Sequence, residues 1–245
     1  MFDLIISFYN TVLYQPLFNA LILLYEYFPG HDFGIAIVVL TLIIRFALYP
    51  SSAQAIKSQE AMARLQPKIK ELQDKYKDNK EQQAKEIMEL YQKEKINPFS
   101  GCLPLLIQLP ILIALYQVFL KGFINGEMHF LYSFVPSPGV INPTFLGLLS
   151  LAEPSKILAV SAGILQFFQS KMMVAKRPVS EKKKGNDMAQ MMQTQMVYFL
   201  PFFTVLILWN WPSAVGLYWV TTSLFSIVQQ YFVLKSQSQL VQENK

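Results

Sequence analysis

Apolar residues fall into five long runs separated by polar stretches, and the pattern predicts an all-α polytopic membrane protein with spans at 31–50, 98–121, 154–175, 189–210 and 213–235. Each run approaches or exceeds the ~20 residues that a spanning helix needs. The first thirty residues are also apolar, but Asn10, Gln15-Pro16, Asn19 and Glu26 interrupt them. Leu17, Leu21, Leu24 and Phe28 form a stripe at helical spacing after Pro16, so 1–30 reads as an amphipathic helix lying on the outer interface, with a sixth span as the alternative.

Between the first two spans, 51–97 changes character. Met62, Leu65, Ile69, Leu72 and Tyr76 recur at three- and four-residue steps, Asp78-Asn79 breaks the pattern, and Ala84, Ile87, Met88 and Tyr91 resume it. This predicts a helical hairpin with interleaved acids and bases on its outer faces, either plainly solvated or carrying a basic face toward lipid, ribosome or emerging polypeptide. Pro67 is expected to bend the first arm or to set its start.

Charge sorting sets the topology. Ten cations lie in 51–97 and a further group, Lys176, Arg177, Lys182, Lys183 and Lys184, lies in the 176–188 loop, whereas 122–153 and the residues before Arg45 contain no Lys or Arg. Both basic loops are therefore expected on the cytoplasmic side, the 122–153 loop and the N-terminus outside, and the 236–245 tail inside. The net charge of +5 is a topology signal and implies no nucleic-acid specificity. Hydrophobic residues make up 53% and charged ones 15%, a balance that a soluble fold with five such runs could not hide. One cysteine and two histidines leave no disulfide framework and no metal cluster, and no cofactor is expected.

Arg45 stands inside the first apolar run. A cation there costs roughly 2.5–3.5 kcal/mol, which the apolar residues Phe33 to Leu48 offset with roughly 3–6 kcal/mol. Snorkelling to the headgroups is one explanation, since Pro50 is only five residues on. A wet cavity is the other. Gln108 in the second run, Gln166 and Gln169 in the third, and Thr222, Ser226, Gln229 and Gln230 in the fifth all fall toward the cytoplasmic halves, while the outer halves are aliphatic or aromatic. Individually such residues make interhelical hydrogen bonds. Collectively they predict a groove open to the cytoplasm and closed outside, and with no acid at its depth Arg45 is expected to attract a carboxylate from another polypeptide.

The stretch Asn97-Pro-Phe-Ser-Gly-Cys-Leu-Pro-Leu-Leu-Ile-Gln-Leu-Pro-Ile-Leu-Ile-Ala-Leu-Tyr116 resembles the signature of the YidC/Oxa1/Alb3 membrane protein insertases. Tyr14-Gln-Pro-Leu-Phe18, Leu65-Gln-Pro-Lys-Ile69 and Trp211-Pro-Ser-Ala-Val-Gly-Leu-Tyr-Trp219 resemble the bacterial branch, in a short form without a large periplasmic domain. The resemblance implies a five-transmembrane-helix insertase core with a cytoplasmic hairpin, in the bacterial plasma membrane. It implies a non-enzymatic chaperone that inserts client segments without ATP hydrolysis. Arg45, Gln108, Gln166, Gln169, Thr222 and Ser226 would line the groove, and Leu105, Leu109, Leu112, Met192, Met196 and Phe202 would form an apolar slide into lipid. Implied partners are nascent membrane proteins and the bilayer, with the ribosome and Sec translocon as candidates. Any ribosome contact is expected on the hairpin or the 176–184 loop, since no long basic tail is present. Methionines at 172, 173, 188, 191, 192 and 196 suit varied apolar clients, or ordinary packing. The competing class is a small transporter or channel with Arg45 as anion site, although no inverted repeat is detectable. No catalytic constellation is present.

Overall fold

The computed structural model describes residues 2–28, 30–94, 96–97, 103–122, 128–173 and 195–243. The chain is helical almost throughout. Helices α1 (Phe2–Tyr9) and α2 (Gln15–Tyr27) are joined by a π-helical turn, Asn10–Tyr14. Pro16 explains that turn: it has no N–H to send to Val12, so the ladder widens before α2 begins. The face of α2 that packs is Tyr14, Phe18, Leu21, Ile22 and Tyr25. That face is rotated from the expected Leu17, Leu21, Leu24, Phe28 stripe because α2 lies against the helices Phe33–Ala47 and Leu103–Gly122, and Leu17 and Leu24 pack only at its margin. Leu4, Ile6, Phe8 and Val12 remain exposed.

Asp32 caps α3 (Phe33–Ala47), its Oδ1 accepting from the Ile35 N–H at 2.8 Å. Pro50 ends the helix. Its ring excludes the carbonyl four residues back, and the chain turns by 64° at Leu48 into α4 (Tyr49–Lys75). The first turns of α4 bury Ala55 and Ile56, and α4 packs against α9 (Ser213–Glu243). Its later turns form a hairpin with α5 (Lys80–Lys93), which Asn79 caps by accepting from the Gln82 N–H at 3.0 Å. The helix runs through Pro67, so that proline does not set its start.

Helix α6 (Leu103–Gly122) leads to a loop carrying a two-stranded antiparallel hairpin, β1 (Thr144–Phe145) and β2 (Leu149–Ser150). Then come α7 (Lys156–Met173), a π-helical turn at Gln195–Phe199, α8 (Leu200–Leu208) and α9. The core is built from α2, α3, α6, α7, α9 and the loop, around Phe18, Phe33, Leu115, Phe119, Leu151 and Val215. Two glycines allow close approaches. A Cβ on Gly34 would come within 2.3 Å of Phe145, and one on Gly163 within 2.3 Å of Val205.

Among the described residues no single helix is long and apolar enough to cross a bilayer. The bent pair α3 and α4 passes that test jointly, and Ile107–Leu120 and Val197–Leu208 are shorter apolar stretches. The reason is physical: at 1.5 Å per residue α3 alone is only about 22 Å long, and α7 and α9 carry polar residues toward one end.

Candidate functional site

Arg45 lies in the last turn of α3, where unpaired carbonyls give the helix end partial negative charge. The same Pro50 that ends the helix therefore creates a backbone environment suited to a cation. The side chain is only partly buried. Its Nη2 donates to Gln108 Oε1 at 3.0 Å, and Gln108 Nε2 in turn donates to the Tyr218 hydroxyl. The guanidinium also lies against that hydroxyl. Three helices, α3, α6 and α9, thus meet at one polar node. Among the described residues Arg45 has no ion-pair partner.

The sequence offers no acid at the depth of Arg45, and its hydrogen-bonding neighbours here are neutral side chains of other helices. Its partners are two uncharged side chains. Neutral acceptors satisfy N–H groups without cancelling the charge, so the cation keeps its attraction for an anion.

The other residues expected to line a groove divide. Thr222 and Ser226 follow Tyr218 at four-residue steps and continue its face of α9. Ser226 is buried, as are Gln229 and Gln230 further along. Gln229 Nε2 donates to Ser52 Oγ at 2.7 Å and to the Tyr49 carbonyl at 3.2 Å, fastening α9 to the start of α4. Thr222 Oγ1 is buried against the Tyr218 hydroxyl, and Gln230 Oε1 is buried without a hydrogen-bond partner among the described residues. Gln166 accepts from Trp219 Nε1 at 3.2 Å and joins α7 to α9 beside the node. Gln169, one turn on, is partly buried and makes no side-chain hydrogen bond among the described residues.

Of the proposed slide, Leu109 and Phe202 are exposed, on α6 and α8. Leu112 instead packs against the core, and Ile113 takes the outward place. The side chains of Leu105 and Met196, all of Met192, and the 176–188 loop lie outside the described residues. From Phe199, at the end of the π-helical turn, the outward face runs onto α8 through Phe202, Phe203 and Leu206.

Tyr218 is the site residue that sequence reasoning missed. Its signals were present: it sits in the Trp211–Trp219 motif, four residues before Thr222.

A partly buried cation held by neutral side chains among helices with exposed apolar faces defines a class, the helical membrane proteins with a polar seam inside an apolar body. The comparisons narrow it. A family model described as 60Kd inner membrane protein matches residues 23–240. The "Membrane protein insertase YidC" of Fusobacterium nucleatum is 35% identical over 204 residues, covering 83% of this chain and 87% of that protein. The protein of the same name from Francisella tularensis subsp. novicida is 36% identical over 83% of this chain, which spans only 33% of it. Among solved structures, "Active YidC insertase crystal structure with the first transmembrane domain resolved" matches with a TM-score of 0.58 and 27% identity, over 89% of this chain and 46% of that one. The chain belongs to the YidC/Oxa1 family of inner membrane proteins, a family of insertases and not of enzymes.

Proposed function

We propose that this protein inserts hydrophobic segments of nascent membrane proteins into the bacterial plasma membrane. It crosses the membrane five times, with the N-terminus outside and the C-terminus and the α4–α5 hairpin in the cytoplasm. The polar seam running from Arg45 through Tyr218, Thr222 and Ser226 to Gln230 is a groove open to the cytoplasm.

The observation that carries this reading is Arg45 itself: its partners Gln108 and Tyr218 orient the guanidinium and leave its charge unbalanced. A client carboxylate or polar tail enters the seam because the cation and the hydroxyls offset part of its dehydration. The client's apolar segment then moves laterally against Leu109, Ile113 and Phe202, which face outward. The buried Gln230 oxygen, without a partner among the described residues, supports a seam that exchanges its partners with water or client. A half-depth polar path shortens the apolar barrier, so the step is downhill by transfer into lipid and consumes no ATP. The hairpin is the surface for a ribosome, and a Sec translocon would dock laterally.

The test is insertion of a single-span client with an acidic external tail into proteoliposomes, comparing Arg45→Ala and Arg45→Lys. Ala is expected to impair insertion and Lys to restore part of it. Unchanged insertion by the Ala variant refutes the role of Arg45, and solute flux through the same vesicles would favour a transporter.

A further inference from the structure

We propose that the tip of the β1–β2 hairpin is a membrane anchor, which seats Leu146 and Leu148 in the outer leaflet at the headgroup–acyl boundary. This rests on the topology proposed above, in which 122–153 lies outside.

The hairpin packs one face on the core: Phe145 sits on Gly34, and Leu149 and Leu151 face inward. The strands alternate in the ordinary way, with the polar pair Thr144 and Ser150 on the face opposite Phe145 and Leu149. The turn that joins them does not follow suit: Leu146 and Leu148 are 59% and 91% exposed, and Val140 earlier in the loop is 84% exposed. Residues 128–152 contain no Asp, Glu, Lys or Arg, where roughly six charged residues would be ordinary in a water-facing stretch of that length. Helix α7, which follows the loop, also exposes Ile157, Val160 and Ile164.

The turn itself points the same way. Leu146 and Gly147 both have positive φ, +53° and +68°, and the Leu148 N–H donates to the Phe145 carbonyl at 3.0 Å. Asn-Gly is the favoured pair for such a turn, and leucine is a poor first residue in it. Asp32 holds the strained position, its Oδ2 accepting from the Leu146 N–H. A leucine kept in a conformation that suits asparagine, with its side chain turned outward, has a use for that side chain. The tip is also rigidly carried, since Asp32 caps α3 and the Tyr25 hydroxyl accepts from the Asn142 N–H. Lipid is the occupant because the surface at the tip is apolar and no residue of 128–152 offers a carboxylate, ammonium or guanidinium to a protein partner.

The experiment replaces Cys102 by Ser in the full chain and places single nitroxide-labelled cysteines at Leu148, Val140, Ile164 and Lys80, in vesicles of phosphatidylethanolamine and phosphatidylglycerol. Oxygen concentrates in lipid and a nickel chelate in water. Labels at Leu148 and Val140 are expected to be oxygen-dominated like Ile164, with Lys80 nickel-dominated. A nickel-dominated Leu148 label overturns the anchor. A Leu148 label that is nickel-dominated in these vesicles but shielded from both reagents in native membranes also overturns it, in favour of a protein partner.

A second variant, Leu146→Asn with Leu148→Ser, suits the turn and is expected to unfold in detergent no earlier than the parent, while the Val140 label loses its oxygen preference. Retention of that preference counts against the tip. Topology is read separately by an impermeant maleimide at Ser150→Cys in intact cells. Reaction from outside supports the outer-leaflet assignment. Reaction only after permeabilisation overturns it along with the topology, whatever the depth of the tip.

Discussion

Arg45 and Gln108, 63 positions apart in sequence, are joined side chain to side chain at 3.0 Å where α3, α6 and α9 converge. The pairing keeps a cation in place without neutralising it. A carboxylate at position 108 would reach the same guanidinium but would compete with any incoming anion.

Gln108→Glu is therefore expected to raise or preserve thermal stability in detergent while lowering insertion of acidic-tailed clients. Gln108→Leu removes the acceptor for Arg45 and the donor to Tyr218, and should destabilise by about 1–3 kcal/mol. Stability and insertion measured on the same preparations separate the two effects. Insertion by the Glu variant at the parental rate would show that Arg45 does not act on clients through its charge.

Asn19 carries a different kind of polar node. It is 2% exposed, its Nδ2 donates to the Gln15 and Phe130 carbonyls at 2.8 Å, and its Oδ1 accepts from the Tyr132 N–H at 2.7 Å. These bonds bind the 128–132 segment to α2. Asn19→Leu leaves the Tyr132 N–H buried and unpaired, while the Phe130 carbonyl keeps its bond from Gln15. A loss of about 1–3 kcal/mol is expected, with amide exchange at Tyr132 accelerating more than exchange in α9. Uniform acceleration would mean that Asn19 supports the whole fold and not this segment.

The places where sequence failed to give the structure share one cause, contact between distant segments. Arg45 was legible as a cation inside an apolar run, and Asn79 as part of the hairpin break, because each depends on its neighbours in the chain. Pro50 was read only as a boundary, although the 64° bend it causes also leaves Arg45 in a helix-terminal environment. The buried face of α2 was misjudged by one step of rotation, since a 3.6-residue period fixes a stripe but not the partner that covers it. Tyr218 escaped because a tyrosine in an apolar run looks like packing until Gln108 is brought against its hydroxyl. The inward turn of Leu112 beside the outward Ile113 is likewise a matter of which helix lies alongside α6.

Close packing of α7 on α8 depends on Gly163. A methyl group there would meet Val205 Cγ2 at 2.3 Å and the Pro201 carbonyl at 3.2 Å. Gly163→Ala should cost about 1–3 kcal/mol by overpacking. Adding Val205→Ala removes the nearer clash, so the double variant is expected to be more stable than the sum of the singles predicts. Additive losses in a thermal-unfolding cycle would place the damage elsewhere.

The hairpin arms are tied by Lys68 and Glu94, whose side chains meet at 2.7 Å. The Lys68 ammonium, by hydrogen bond and by charge, holds the Glu94 carboxyl below the usual carboxylate value. A depressed carboxyl pKa contributes to the folded pairing above the unfolded value of about 4.3, and that contribution is lost as pH falls through the lower folded value. Both partners are exposed, so the bond is weak and salt-sensitive, and it affects the ordering of the arms more than global stability. Nitroxides at Glu71→Cys and Gln92→Cys are expected to give a narrow distance distribution at pH 7 that persists through the usual carboxylate range and broadens only at more acid pH. Lys68→Ala should give the broad distribution already at neutral pH, with little further response to acid. A narrow distribution in that variant would mean that the Tyr76–Glu86 bond and the Gln83 bond to the Gln73 carbonyl hold the arms without help from the ion pair.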